Sequence, residues 1–184
     1  IIATSDEPVD SRLVQFLLGD VLGDGGQWDM AVSVYMKYGL VPKEVMPESE
    51  ASTNSRPMNA RLRAVLHIGA LRLREAIAAG ASAEEVDAQR RKILADVWKI
   101  LVVCLGEPPV RFNWQWRDDE GNFHRDGEIT PHEFYERHVG VDLSEYICLV
   151  DDPRPENPKG SMETVEHLGN VVGGRPIRYL NAPV

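Results

Sequence analysis

The chain has little of several things, and each shortage removes a class of protein. Cysteine occurs twice in 184 residues, too rarely for a disulfide framework. Both cysteines, Cys104 in LVVCLGE and Cys148 in YICLVDD, sit among large apolar residues and read as buried thiols of a reducing cytoplasm. Basic residues are the minority, 20 against 29 acidic ones, and the net charge of −9 is spread along the chain. That balance disfavours a grip on nucleic acid or on an anionic membrane. No apolar run reaches the length of a membrane span, and no signal-peptide pattern is visible. Internal repeats and low-complexity tracts are absent as well. With 43% hydrophobic residues the chain can build a core, as one large domain or as a piece of something larger. It opens IIATSDEP without an initiator methionine and closes IRYLNAPV at the edge of an expected strand, ends that an excised fragment explains simply.

What is present is mostly helical pattern. Pro8–Leu18 carries Val9, Leu13, Phe16 and Leu17 at helical spacing, with Pro8 suited to a first turn. A glycine turn follows. From Trp28, the residues Met30, Ala31, Val34 and Tyr35 mark a second helix that Gly39 stops. LVPKEVMPES is expected to be extended, because Pro42 and Pro47 bar helix. Met58–Ala79 places Leu62, Val65, Leu66, Leu73 and Ile77 on one face, weakened in the middle by Gly69 and ended by Gly80. Ser82 with Glu85 forms a capping-box pattern, after which Val86, Ile93, Leu94, Val97, Trp98 and Leu101 keep the period as far as Gly106. The two stretches predict an antiparallel helical hairpin. Beyond GEPP the period changes. VRFNWQW and NFHRDGEI flank the turn RDDEG as a β-hairpin, and Thr130, Pro131 and Glu133 open a short helix. Tyr146–Val150 reads as a buried strand, Ile177–Leu180 as another, and SMETVEHLGN fits neither pattern.

Two adjacent glycines, Gly25 and Gly26, stand directly before the second helix with Gln27 and Trp28 at its mouth. Such a turn can cradle a phosphate or expose main-chain groups to a peptide. A phosphate loop needs Lys-Ser/Thr after its second glycine, where Gln27 and Trp28 stand, and Gly23, Gly25 and Gly26 do not match G-x-G-x-x-G. A calcium loop in DDEGNFHRDGE fails because Phe123 occupies the position that requires glycine, so a solvated hairpin turn is the better reading. The five histidines (His67, His124, His132, His138, His167) show no metal-ligand spacing, and His132 and His138 read as polar-face residues of their short helix. Neither cysteine suits a nucleophile. Cys104 falls late in a helix, where the dipole opposes thiolate, and Cys148 falls inside an apolar strand.

The stretch DGGQWDMAVSVYMKYGLVPKEVMPES resembles the bleomycin hydrolase/aminopeptidase C family of papain-like cysteine peptidases. The likeness continues in order through STNSRPMNARLR, GEPPVRFNWQWRD, ITPHEFYERHV, LVDDPRPENPKG and TVEHLGNVVGGRPIRYLN. Leu71–Gln89 is the least distinctive part. The resemblance implies an α+β, mostly helical piece of a papain-like fold. Residues 1–57 would be part of the left lobe with its Gly-Gly turn. Residues 58–140 would be an insertion of helical hairpin and β-hairpin, and 141–184 a return towards the right lobe.

In papain-like enzymes the second glycine of such a pair presents its backbone to the substrate. The resemblance therefore implies a substrate-binding set of Gly25, Gly26, Gln27 and Trp28, with the glycines bare so that an extended peptide can lie against them. It also implies that no catalytic residue lies here. The family's nucleophile follows a glutamine and begins a long helix upstream. Its histidine and its Asn-Ser-Trp lie downstream, and Asn54-Ser55 is followed here by Arg56. The expectation is thus the central part of a cytoplasmic cysteine aminopeptidase. It would have no metal or cofactor and take a peptide as partner, and the family's hexameric assembly implies a homo-oligomer. The competing expectation is a non-catalytic binding or oligomerisation module of the same ancestry.

Overall fold

The computed structural model describes residues 1–19, 21–22, 25–165 and 173–183. In chain order the helices are α1 (Arg12–Gly19), α2 (Trp28–Tyr38), α3 (Glu50–Thr53), α4 (Arg56–Ala78), α5 (Ala83–Leu105) and α6 (Pro131–Phe134). The strands are β1 (Phe112–Arg117), β2 (Phe123–Ile129), β3 (Cys148–Val150), β4 (Met162–Val165) and β5 (Ile177–Asn181). They fall into two compact units, Ile1–Asp24 with Pro47–Pro108, and Gly25–Met46 with Pro109–Val184.

The first unit is helical. Ser82 and Glu85 cap α5 reciprocally as expected, and Gly80 and Gly106, both at positive φ, close α4 and α5. Gly69 does more than weaken α4. A Cβ there would stand 2.8 Å from Ile93 Cγ2, so its bareness lets α4 and α5 approach closely. The core is small: Val14, Leu62, Leu73 and Val86. The opening segment is fastened to α4 by Arg74, which donates to the carbonyls of Thr4 at 2.7 Å and Glu7, and by His67 against the carbonyl of Leu18 at 2.9 Å.

The first helix departs from expectation. It begins at Arg12, not Pro8, because the Ser11 hydroxyl accepts the Val14 N–H at 3.3 Å and caps it there. Val9, Leu13, Phe16 and Leu17 are exposed, and Val14 is the residue it buries.

The second unit contains two small sheets. β1 and β2 form the expected antiparallel hairpin, with a bulge that leaves Asp126 as the extra residue between Gly127, opposite Trp114, and Arg125, opposite Gln115. Its turn is closed by Asp118, whose carboxylate accepts from the backbone N–H groups of Glu120 (3.1 Å) and Asn122 (2.8 Å). Thr130 and Glu133 cap α6 reciprocally as expected, and the chain continues as a five-residue π-turn, Tyr135–Val139, to Gly140.

The other sheet has the order β3-β5-β4, with β3 parallel and β4 antiparallel to the central β5. β3 lies at the edge, so Leu149 is 62% exposed and the strand is not the buried one expected. Met162–Val165 of the ambiguous SMETVEHLGN is a strand, while its residues from 166 on, and His167 with them, lie outside the described residues. Nor is LVPKEVMPES wholly extended, since Val45 and Met46 turn back to donate to the Pro42 carbonyl. Both cysteines are free and half-buried, less enclosed than their neighbours in sequence suggest, because Leu149 and Val103 beside them face outward.

Candidate substrate-facing site

Gly25, Gly26 and Gln27 form an exposed lead-in to α2 outside any regular element. Gln27 is the N-cap in β conformation, and its carbonyl accepts from Met30 (3.0 Å) and Ala31 (3.3 Å). Neither glycine lies in the left-handed region, so the turn does not require glycine for its backbone. Among the described residues nothing crowds them either. A Cβ on Gly25 would meet no atom within 4 Å, and one on Gly26 only Met30 Sδ at 3.7 Å. The pair therefore leaves main-chain groups open above a firmly mounted helix start. Trp28, half-buried, sets its ring 6.2 Å from that of Tyr146, and its indole N–H has no partner among the described residues.

The mounting is polar, and the sequence reading missed it. Met30, Ala31, Val34 and Tyr35 mark α2 as expected and are half-buried, while the residues it buries fully are Asp29, Val32 and Ser33. Asp29 is 1% exposed. Its Oδ2 accepts the Arg178 backbone N–H at 2.9 Å, and its Oδ1 lies 2.6 Å from Arg175 Nε. That second contact is a charge pair whose N–H is not aimed along the short line, so it counts as Coulombic attraction and not as a formed hydrogen bond. Ser33 Oγ donates to the Asp29 carbonyl at 2.8 Å and accepts the Arg175 N–H at 3.1 Å, while Arg175 Nη1 donates to the Leu143 carbonyl at 3.2 Å. The Tyr179 hydroxyl donates to Gln27 Oε1.

β5 also anchors the neighbouring loop. Asn181, 0% exposed, has both ends of its amide used. Its Nδ2 donates to the carbonyls of Asp152 (3.1 Å) and Asn157 (2.6 Å), and its Oδ1 accepts from the Asp152 N–H (3.0 Å) and Lys159 Nζ (3.1 Å). Asp152 in turn is held well below the usual carboxylate range by hydrogen bonds from Arg154 and Asn157. The loop DDPRPENPKG is thus a tied strap. An acidic residue in a first helical turn is a visible signal, but its partners here stand nearly 150 positions away in sequence.

The histidines settle elsewhere. His138 is no polar-face residue. It is enclosed by Trp114, Trp116 and Phe134, with Nε2 at 2.8 Å from Asp126 Oδ2. His132 is exposed, 3.4 Å from the Met36 carbonyl. His124 stacks on Trp116 and meets Asp118 Oδ2 at 2.8 Å. Among the described residues no histidine contacts Cys104 or Cys148.

Comparison with known proteins is consistent along the whole chain. Residues 1–184 match the model of the peptidase C1-like family. Bleomycin hydrolase of Gallus gallus is 45% identical over 184 residues, which cover 99% of this chain and 40% of that protein. Aminopeptidase C of Lactobacillus delbrueckii subsp. lactis is 44% identical over 181 residues, 98% of this chain and 40% of its own. The crystal structure of PepW from Lactobacillus rhamnosis HN001 superposes with a TM-score of 0.94 at 43% identity, over 100% of this chain and 41% of that one. The chain therefore spans about 40% of the length of these relatives.

Proposed function

The chain belongs to the peptidase C1-like family, and from that membership we propose that it is the central part of a cysteine aminopeptidase that hydrolyses peptide bonds. Its fold is the corresponding mixed α and β portion of a papain-like peptidase. In this reading a thiolate outside residues 1–184 attacks the scissile carbonyl, and a histidine, oriented by an asparagine, protonates the leaving amine. This segment supplies wall. Gly25 and Gly26 lie against the substrate backbone, with Gln27 and Trp28 beside them.

The observation that carries the reading is the bare, uncrowded Gly25–Gly26 edge on a buried mounting, within a chain that matches the family from end to end. Residues 1–57 then correspond to part of the left lobe, 58–140 to the insertion and 141–184 to the return towards the right lobe. A homo-oligomer, hexameric as in the family, is supported by the apolar side chains that 58–140 leaves exposed, among them Ile68, Leu71, Leu94, Val103 and Trp98 at 49%. A cytoplasmic site is supported by the two free thiols; no helix among the described residues is long and apolar enough to cross a membrane.

The test compares residues 1–184 alone with the whole peptidase that carries them, on fluorogenic aminoacyl amides. The whole enzyme should turn over and lose activity on thiol alkylation, and the isolated chain should be inert. Thiol-dependent turnover by the isolated chain, abolished by Cys104→Ala or Cys148→Ala, would contradict the assignment.

A further inference from the structure

The side chain of Gln27 is an amide that can both donate and accept, on an exposed residue next to the glycine pair. An unconstrained amide there would recognise neither a donor nor an acceptor selectively. It is not unconstrained. Tyr179 stands mid-strand in β5, the central strand of its sheet, paired with Cys148 on one side and Glu163 on the other. Ile177 and Asn181 share its face of the strand, and both are buried. The phenol is therefore delivered from a backbone held on both edges, and its hydroxyl donates to Gln27 Oε1. With Oε1 engaged, the Gln27 amide nitrogen has no partner among the described residues.

Burial raises the Tyr179 hydroxyl above its ordinary value, with the Cys148 and Asp29 groups adding to the effect. It thus remains a protonated donor throughout neutral and moderately alkaline solution. In the observed pairing the hydroxyl proton is spent on Oε1. Gln27 is left with N–H groups to offer.

We propose that Tyr179 is a positioning residue that fixes Gln27 as a hydrogen-bond donor to a carbonyl oxygen of the bound peptide. This rests on the reading of Gly25–Trp28 as the substrate edge. The selected ligand class is an extended chain presenting an acceptor beside the glycine pair, and a ligand presenting only N–H groups there is disfavoured.

The test uses the whole peptidase, with fluorogenic peptidyl amides as probes and the melting temperature and active-site thiol titration as controls. Tyr179→Phe removes one oxygen and should raise KM about three- to tenfold with kcat within about twofold, the size of a neutral hydrogen bond made equally in ground and transition states. Gln27→Met should do the same. The double variant should be no worse than either single one, because both remove the same donor. Gln27→Glu, which keeps an acceptor for Tyr179 but loses the donor, should also raise KM, and it decides the matter if Tyr179→Phe fails to fold. A parental KM in Tyr179→Phe or in Gln27→Glu, alongside a raised KM in Gln27→Met, overturns the proposal and leaves the substrate edge standing. Parental KM in Gln27→Met and in Gly26→Val together overturns the substrate edge itself.

Discussion

Helices α4 and α5 run 23 residues each and bury only Leu62, Gly69, Leu73 and Val86, whereas α2 runs 11 and buries Asp29, Val32 and Ser33. The long pair is regular and capped at its turn, yet it leaves Leu71, Leu94, Trp98 and Val103 exposed. The short helix is tied by charge and hydrogen bonds to residues 175–179. Period reports how long a helix is. What holds that helix in place depends on long-range partners, and polar partners are the ones that fix a position and not merely a face.

The largest effect should come from breaking the polar mounting. Asp29→Ala strands Arg175 and removes the acceptor of the Arg178 N–H, so it should cost about 3–5 kcal/mol in urea unfolding. A loss below about 1 kcal/mol would mean that apolar packing around Val32 holds α2 by itself.

The two close glycines compare the regions directly. At Gly39, φ is +74° and a Cβ would stand 2.3 Å from the Pro131 carbonyl carbon, backbone that cannot yield. Gly39→Ala should cost about 2–3 kcal/mol. At Gly69 the obstacle is the flexible end of Ile93. Overpacking of about 1–3 kcal/mol is offset there by about 1 kcal/mol of helix propensity, so Gly69→Ala should lose only about 1 kcal/mol. Equal losses at the two sites would erase the distinction between rigid and yielding neighbours.

A smaller effect belongs to the β-hairpin turn. Asp118 is held down to about 2 from 3.8, first by the hydrogen bond from His124 and then by Asn122. A depressed folded value means that ionised Asp118 contributes stability in full above about pH 4. That contribution is lost as pH falls through about 2. The Trp116 indole resonance, stacked on His124, should shift across that interval and stay flat in Asp118→Asn. An identical shift in the variant would place the titration elsewhere.

The smallest effect on folding should be at the exposed face of α5. Trp98→Lys should change unfolding free energy by no more than about 0.5 kcal/mol while reducing self-association in sedimentation. Unchanged sedimentation would remove that face from any assembly.

Length, caps and hairpins were legible because their causes are local: Ser82 with Glu85, Thr130 with Glu133, Gly39 and Gly106 each act within a few residues. Burial was less legible. The apolar stripe Leu13, Phe16 and Leu17 looks like a core face and is exposed, and YICLV looks central and lies at a sheet edge. The position of the candidate site could be read from Gly25–Trp28 through family resemblance. Its supports could not, since no local pattern pairs Asp29 with Arg175 or Gln27 with Tyr179, and these residues meet only on folding.

The central claim is that the Gly25–Gly26 edge faces substrate, and Gly26→Val in the whole peptidase tests it most directly. Gly26 is outside the left-handed region and its nearest obstacle is Met30 Sδ at 3.7 Å, so the substitution meets no severe clash at its Cβ. In protein with a parental melting temperature and a full active-site thiol titre, kcat/KM should fall at least tenfold, about 1.4 kcal/mol of transition-state stabilisation. Parental kcat/KM in that same protein would mean that the two glycines shape a lead-in to α2 and nothing more.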